Sequence, residues 1–319
     1  MTISKLAFLF PGQGSQTVGM GRELAAAHPV AQQTFDEADA ALDYKISQLC
    51  FEGPEEKLKL TEITQPAILT VSVAALRVLR EKGITPTFVA GHSLGEYSAH
   101  VAAETLNFAD AVRTVRNRGK YMQEAVPVGE GAMAAILGMP GDEVQKICQE
   151  SAQDSVCSPA NLNSPEQTVI SGSKAAVERA AELAKSRGAK KVVMLAVSAP
   201  FHCALMQPAQ DRLAADLQKL SFQAMQIPLI KNIDAEPTSD PANAREALIR
   251  QVTGAVQWVN SVRKLISLGA EAFVEVGPGK VLCGLMRQID RSRTCFNVED
   301  EASLQKTIQS AVGSPQSSG

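Results

Sequence analysis

Serine-based acyl chemistry is predicted by five consecutive residues, Gly91-His92-Ser93-Leu94-Gly95. They follow a short apolar run at 87–90 and precede a stretch of helical character at 96–103. Strand, G-x-S-x-G and helix in this order form a nucleophile elbow, a sharp turn that exposes the serine at the end of a sheet. Glycine suits both flanking positions because a side chain there would crowd the turn. Ser93 is therefore predicted to attack a carbonyl and become acylated; the alternative is an ordinary glycine-flanked turn.

A nucleophilic serine needs a base within hydrogen-bond distance, and the chain has four histidines. His202 follows a predicted strand, in a loop position that is typical of catalytic residues. It is the predicted base, and a buried structural histidine is the alternative. His92 adjoins the serine and should point away from it, His100 lies about two helical turns further on, and His28 precedes a proline at a predicted helix end.

The residue that would orient the His202 imidazole is left open by the sequence. A triad of the α/β-hydrolase type runs in the order serine, acid, histidine. The aspartates between Ser93 and His202 are Asp110, Asp142 and Asp154, and none has a convincing strand-end position. A backbone carbonyl is therefore the alternative partner.

Two glycine-rich segments follow predicted strands. The first, Phe10–Gln16, can turn N–H groups toward an anion but lacks the spacing of a phosphate-binding loop. The second, Gly277–Lys280, is followed by Val281 where that motif needs Ser or Thr. Neither indicates a nucleotide site, and a contribution of the first segment to an oxyanion hole fits a nucleophilic serine better.

A basic cluster lies on one predicted helix and consists of Arg113, Arg116, Arg118 and Lys120. For most of these residues the favoured interpretation is a solvated helix face. An arginine turned inward would differ, because its planar guanidinium can hold a carboxylate through two parallel hydrogen bonds.

Length and composition limit the possible functions. The chain has 319 residues, enough for about two domains. A net charge of −3 and an aromatic content of 4% argue against nucleic-acid binding. The apolar run at 6–10 is too short for a signal peptide, and no run approaches the ~18–20 apolar residues of a membrane span. We therefore expect a cytoplasmic protein without a membrane partner.

The cysteines are scattered and form no C-x-x-C pair, which predicts free thiols in a reducing compartment and no metal site. They are Cys50, Cys148, Cys157, Cys203, Cys283 and Cys295.

Periodicity predicts an α/β fold. The predicted strands are 6–10, 87–90, 132–137, 156–162, 168–170, 191–197, 228–230 and 272–276. The clearest predicted helices are 66–82, 96–103, 110–125, 141–152, 174–187, 204–220 and 258–268. Residues 129–198 follow the ferredoxin-like order βαββαβ and are predicted to form a small subdomain. It would be inserted into a discontinuous catalytic domain of 1–128 and 199–312, with a flexible tail at 313–319.

Taken together, the motifs resemble one family, the bacterial malonyl-CoA:acyl carrier protein transacylases of type II fatty acid synthesis. The similarity runs from about residue 6 to about residue 298. The matching motifs are Phe10-Pro11-Gly12-Gln13-Gly14-Ser15-Gln16, Gly91–Glu96, Arg118-Gly119, Phe201-His202, Val256-Gln257-Trp258 and Glu275–Gly279. That family has a parallel-sheet, α/β-hydrolase-like core with an inserted ferredoxin-like subdomain, so the same fold is expected here.

The resemblance implies roles for seven residues. Ser93 would be the acylated nucleophile, His202 its base, Gln257 the residue whose carbonyl holds the imidazole, Gln13 and Leu94 the donors of the oxyanion hole, Arg118 the ligand of the malonyl carboxylate, and Phe201 the residue that crowds the acyl α-carbon. Relatives that accept methylmalonyl groups tend to have a smaller residue at the last position.

The reaction implied by the resemblance is transfer of malonyl from malonyl-CoA to the phosphopantetheine thiol of acyl carrier protein through malonyl-Ser93. The coenzyme A thioester is then a substrate, no cofactor is bound, and a monomer is expected. Because acyl carrier proteins are acidic, a basic docking patch is also expected. Its candidates are Lys185, Arg187, Lys190 and Lys191, or Arg113 and Arg116.

Two other functions remain open from the sequence. A serine thioesterase or esterase on the same core predicts a carboxylate near His202 and turnover without an acceptor thiol. A non-catalytic module that docks the carrier protein predicts binding without acylation.

Overall fold

Two separate sheets organise the chain in the computed structural model, which describes residues 5–197 and 199–311. The strands of this described part are β1 (Leu6–Phe10), β2 (Phe88–Gly91), β3 (Gly131–Leu137), β4 (Cys157–Ser164), β5 (Gln167–Ser173), β6 (Lys191–Met194), β7 (Leu229–Ile230), β8 (Pro237–Thr238), β9 (Ala272–Val276) and β10 (Thr294–Val298). Its α-helices are α1 (Arg22–Ala27), α2 (Pro29–Leu42), α3 (Ile46–Glu52), α4 (Glu55–Leu58), α5 (Thr61–Glu81), α6 (Gly95–Ala102), α7 (Phe108–Glu124), α8 (Gly141–Ala152), α9 (Lys174–Ser186), α10 (Gln207–Lys219), α11 (Pro241–Gln251), α12 (Trp258–Ser267), α13 (Val281–Ile289) and α14 (Glu301–Ala311).

The larger sheet has the strand order β10-β9-β1-β2-β7-β8, and only β8 runs antiparallel to its neighbour. Its central strands are buried on both faces, which explains their continuous apolar sequences. Phe8 and Phe10 face a core shared with α5, whereas Ala7 and Leu9 face a second core that contains Trp258. The predicted parallel α/β core is thus confirmed.

The smaller sheet is antiparallel, with the order β4-β5-β3-β6, and α8 and α9 pack against it. Ile136, Ile147 and Val177 share its core. This is the predicted ferredoxin-like arrangement. The domain limits stay a prediction, since Ser198 and the predicted tail at 313–319 lie outside the described residues.

The small sheet is attached to the larger domain beside the site described below. Asn161 in β4 pairs with Val256 of the segment between α11 and α12. The N–H of Leu162 donates to the Val256 carbonyl at 2.9 Å, and the Val256 N–H donates to the Ala160 carbonyl at 2.8 Å. An edge strand of the small subdomain is therefore attached to a loop of the large one.

Helix α5 is longer than the sequence predicted. It begins at Thr61 and not at Pro66, so the proline lies inside the helix. Among the described residues it is the helix whose length and apolar composition would suffice to cross a membrane, but 83% of its most apolar window is buried inside the protein. It is the core helix between β1 and β2. The region before it forms the four helices α1–α4.

The prediction that all six cysteines are free thiols is wrong for two of them. Cys283 and Cys295 form a disulfide, with Cα atoms 5.4 Å apart. The turn from α13 into β10 brings the two together, and their 12-residue separation matches no sequence motif. Cys50, Cys148, Cys157 and Cys203 are free and buried.

Candidate active site

Ser93 lies in the predicted elbow, between the end of β2 and the start of α6, with a left-handed φ of 53°. Gly91 and Gly95 are both required by the packing. A Cβ on Gly91 would lie 2.0 Å from the Gly95 carbonyl, and a Cβ on Gly95 would lie 2.1 Å from the Phe10 oxygen. The turn can therefore form only because the motif has glycine on both sides of the serine.

Asn232 holds this turn from the β7–β8 hairpin. Its Oδ1 accepts the Ser93 N–H at 2.7 Å, and its Nδ2 donates to the Gly91 carbonyl at 2.6 Å. These two hydrogen bonds stabilise Ser93 in its left-handed conformation, which costs free energy in isolation. Sequence reasoning missed Asn232, since it lies 139 residues from Ser93 and in no motif.

His202 is placed to accept the serine proton. Its Nε2 lies 2.8 Å from Ser93 Oγ, and its Nδ1 lies 2.8 Å from the Gln251 carbonyl and 3.1 Å from the Gly254 carbonyl. Because carbonyl oxygens only accept hydrogen bonds, Nδ1 must carry the ring hydrogen. The lone pair of Nε2 is then directed at the Ser93 hydroxyl, the arrangement that a general base needs.

The orienting carbonyl was predicted to be that of Gln257, and this prediction is wrong. Helix α12 begins directly after Gln257, whose carbonyl accepts the Ser261 N–H at 2.8 Å. Its N–H donates to the Asn232 carbonyl at 2.9 Å. The carbonyls that do hold the imidazole come from the last residue of α11, Gln251, and from Gly254. In the described part of the chain, none of the three candidate aspartates makes this contact.

Arg118 is the inward-turned member of the basic cluster, with an exposed fraction of 1%. Its Nη1 donates to Gln65 Oε1 at 2.8 Å, and its Nη2 donates to Gln251 Oε1 at 2.9 Å and to Ser93 Oγ at 3.0 Å. Its Nε is buried without a partner. Within the described ranges no carboxylate lies at ion-pair distance from this guanidinium.

The rest of the basic cluster lies on the opposite face of α7, where Arg113, Arg116 and Lys120 are exposed as predicted. Gly119 lets the inner face approach α5, because a Cβ there would lie 2.6 Å from the Thr61 carbonyl. Close packing of the two helices thus holds Arg118 in the interior.

Burial controls the charges at this site. Burial, and secondarily the Arg118 cation, lower the pKa of His202 to about 3, so the imidazole is neutral at physiological pH. Burial also raises the pKa of Glu96, a neighbour on α6, to about 7. The Arg118 guanidinium stays protonated despite burial, which lowers its pKa from a very high starting value. The site is therefore a neutral base beside a desolvated cation.

A cavity open to solvent contains these groups. Six of the seven predicted site residues line it, and Gln257 is the exception. They are Gln13, Ser93, Leu94, Arg118, Phe201 and His202. Met133, Asn161 and Leu195 of the small subdomain also line the cavity. In residues 5–197 and 199–311 no group of three or more His, Cys, Asp or Glu side chains is placed to bind a metal ion.

The predicted oxyanion donors belong to two segments that pack together. A Cβ on Gly12 would lie 2.6 Å from the His92 carbonyl, and the His92 N–H donates to the Phe10 carbonyl at 2.9 Å. Among the turn and loop hydrogen bonds of the described residues, none uses the N–H of Gln13 or Leu94. Both amides can therefore donate to a ligand in the cavity.

The other histidines have different surroundings. His92 also lines the cavity, where its Nε2 lies 2.9 Å from Asn163 Oδ1, although the sequence suggested that it points away. His28 pairs with Glu301 at 2.7 Å. His100 is buried against the Phe222 ring, and neither of its nitrogens has a partner among the described residues.

The second glycine-rich segment is structural. Glu275 at the end of β9 accepts the N–H groups of Leu282 and Cys283, at 2.9 and 2.8 Å, and so caps α13. Gly277 packs against α5, since a Cβ there would lie 2.2 Å from Ser72 Oγ.

Most of the predicted docking cations are engaged in local contacts. The pairs are Lys185–Glu182, Arg187 with Glu143 and Glu150, Lys190–Glu166 and Arg113–Asp110, and Arg116 lies over the Tyr44 ring. Lys191 is exposed at the start of β6. The docking surface stays a prediction.

Comparisons with known proteins agree with this geometry. A family model described as the acyl transferase domain matches residues 7–311. The malonyl CoA-acyl carrier protein transacylase of Salmonella typhimurium is 50% identical over 307 residues, which are 96% of this chain and 99% of that protein. The solved transacylase of the same description from Coxiella burnetii superposes with a TM-score of 0.95 at 44% identity, over 98% of this chain and 99% of that one. A malonyl-transacylase in complex with its type II PKS acyl-carrier protein superposes with a TM-score of 0.94 at 46% identity, over 96% and 100% of the two chains.

Proposed function

The chain belongs to the acyl transferase domain family, and on this premise we propose that it transfers malonyl from malonyl-CoA to the phosphopantetheine thiol of acyl carrier protein. One observation carries the proposal. A buried arginine without a carboxylate partner among the described residues donates to the hydroxyl of the proposed nucleophile at 3.0 Å. A malonyl group has the carboxylate that this cation lacks. One methylene carbon joins that carboxylate to the carbonyl that Ser93 would attack.

Acylation would begin with proton transfer from Ser93 Oγ to His202 Nε2. The oxygen attacks the thioester carbonyl, and the oxyanion receives hydrogen bonds from the N–H groups of Gln13 and Leu94. The tetrahedral intermediate collapses by breaking the C–S bond. The leaving coenzyme A thiolate takes this proton from the imidazolium and departs as the thiol, leaving malonyl-Ser93 and a neutral His202.

Transfer to the carrier would repeat these steps in reverse order. The phosphopantetheine thiol gives its proton to His202, and its sulfur attacks the malonyl-Ser93 ester. The C–Oγ bond then breaks and Ser93 regains its proton. Because burial and Arg118 disfavour the imidazolium, His202 gives up each proton readily once it has accepted it.

The two other functions fit less well. A thioesterase or esterase was expected to have a carboxylate beside His202, but two carbonyls occupy that place. A docking module would have no need of a serine, a histidine and an arginine within hydrogen-bond distance of one another.

Intact-mass measurement tests the function directly. Incubation with malonyl-CoA should add one malonyl group to the wild-type chain and none to Ser93→Ala. Addition of holo-acyl carrier protein should then remove the group and add it to the carrier. Loss of the group to water at the same rate without a carrier would instead indicate a hydrolase.

A further inference from the structure

We infer that Glu96 is a positioning residue, which fixes the side-chain amide of Gln251 and thereby directs Arg118 toward acyl groups that carry a carboxylate. This inference rests on the proposed function. It concerns the choice between acyl groups and not the bond-making steps, in which Glu96 takes no part.

Glu96 lies in the first turn of α6, three residues after Ser93, and is fully buried. Its Oε2 accepts the Gln251 Nε2 at 2.7 Å and the Asn232 N–H at 3.1 Å. Its Oε1 has no partner in the described chain. A buried carboxylate without an ion pair costs free energy, so its presence calls for a role that an apolar residue could not fill.

The groups around Gln251 permit only one orientation of its amide. Nε2 faces Glu96 Oε2 and the Ser93 carbonyl, at 2.7 and 3.0 Å. Oε2 also accepts the Asn232 N–H, so both oxygens act as acceptors. Oε1 faces Arg118 Nη2 at 2.9 Å, and a guanidinium only donates. A flipped amide would place its NH₂ against the cation and its oxygen against two acceptors.

The same amide links Glu96 to Arg118 and keeps the two side chains out of direct contact. The sequence of contacts is carboxylate, amide and guanidinium, with each hydrogen bond below 3 Å. A direct ion pair would occupy the fork of the guanidinium with the protein's own carboxylate. Separation by one amide leaves Arg118 able to bind the carboxylate of the substrate.

Two substitutions separate this role from general support of the fold. Glu96→Gln keeps an oxygen where Gln251 and the Asn232 N–H need an acceptor, and it removes only the charge. Glu96→Ala removes the acceptor at 2.7 Å, so the Gln251 amide is held only by the Ser93 carbonyl and Arg118. The measurement is the rate at which each variant is acylated by malonyl-CoA and by acetyl-CoA, followed by intact mass.

We expect Glu96→Ala to lower the malonyl-to-acetyl rate ratio by about tenfold or more, the effect of losing one well-directed hydrogen bond to a charged group. Glu96→Gln should keep the ratio within about threefold of the wild type, because the orientation is retained. An unchanged ratio in Glu96→Ala would overturn the inference, as would an equal fall in both variants, which would mean that charge and not orientation matters.

The fold is checked by thermal unfolding of each variant. If Glu96→Ala does not fold, Glu96→Met fills the space without an acceptor, and the same outcomes apply to it. Wild-type protein that takes up no malonyl group would overturn the proposed function and this role with it. Normal wild-type acylation with an unaltered ratio in the Ala or Met variant would overturn only the role of Glu96.

Discussion

The guanidinium of Arg118 donates a 3.0 Å hydrogen bond to the Oγ of Ser93, so substrate recognition and nucleophile meet at one oxygen. That oxygen also lies 2.8 Å from His202 Nε2. A cation at this distance favours negative charge on Oγ as the proton leaves, and it must be placed before any acyl group arrives. Arg118 is therefore expected to affect reactivity as well as selectivity.

Replacement of Arg118 should separate these two effects. Arg118→Ala should slow acylation by both acetyl-CoA and malonyl-CoA, but malonyl-CoA by about 100-fold more, because a bidentate charged contact is lost. Arg118→Lys keeps the positive charge but not the two parallel N–H donors of a guanidinium. Its malonyl acylation rate should therefore lie between those of the wild type and Arg118→Ala. Single-turnover acylation rates provide the comparison. Equal losses for both acyl groups would show that Arg118 does not bind the carboxylate.

Removal of His202 should slow acylation about 10²–10⁴-fold, the usual contribution of a general base. Because its pKa is lowered to about 3, the wild-type imidazole is already in the base form throughout the neutral range. The wild-type acylation rate should thus show no loss from His202 protonation between about pH 8 and pH 5. A pH–rate profile checks this, and an inflection near the ordinary histidine pKa that requires His202 would contradict it.

Buried His100 should make the protein sensitive to acid. Burial lowers its pKa from 6.5 to about 3, so the folded state keeps it neutral while the unfolded state takes up a proton below pH 6.5. Stability is lost as the pH falls through this window, by about 1.4 kcal/mol per unit. His100→Leu should therefore lose about 2 kcal/mol less than the wild type between pH 7.5 and pH 5. Urea unfolding at both pH values measures the difference, and parallel losses would contradict the prediction.

A methyl group at Gly95 should disrupt the elbow. Its Cβ would lie 2.1 Å from the Phe10 carbonyl, a backbone atom that cannot move aside, so we expect Gly95→Ala to cost about 3 kcal/mol or more and to abolish acylation. Gly284 is the matched control, since nothing lies within 4 Å of its added Cβ in α13. Gly284→Ala should be neutral or stabilise by ~0.5–1 kcal/mol. Similar denaturation midpoints for the two variants would refute the steric argument.

The sequence predicted those parts of the site whose structure is determined by residues close together in the chain. The elbow needs only a strand, two glycines and a helix start, all within a few residues of Ser93. Arg118 was one of four candidates on a helix whose apolar spacing sets which side faces inward. The small subdomain was predicted because its elements alternate in a recognisable order within one continuous segment.

The remaining parts depend on groups brought together from distant loops. Asn232 and Gln251 are common polar residues, and nothing near them in the sequence distinguishes them from surface positions. The error over Gln257 has the same origin, because the position where α11 ends decides which carbonyl reaches His202. Glu96 did leave a local signal, as a charged residue on a helix that is otherwise buried, but its partners could not be inferred.

The pairing of Asn161 with Val256 has a consequence for engineering chimeric enzymes. The segment that it secures runs from Gln251 to Gln257 and includes both carbonyls that hold His202. The boundary of the insert in the sequence is therefore not the boundary of the working module. A graft that exchanged only the small subdomain would place Asn161 of one enzyme against the segment 251–257 of another. The unit to exchange is therefore the subdomain together with residues 251–257.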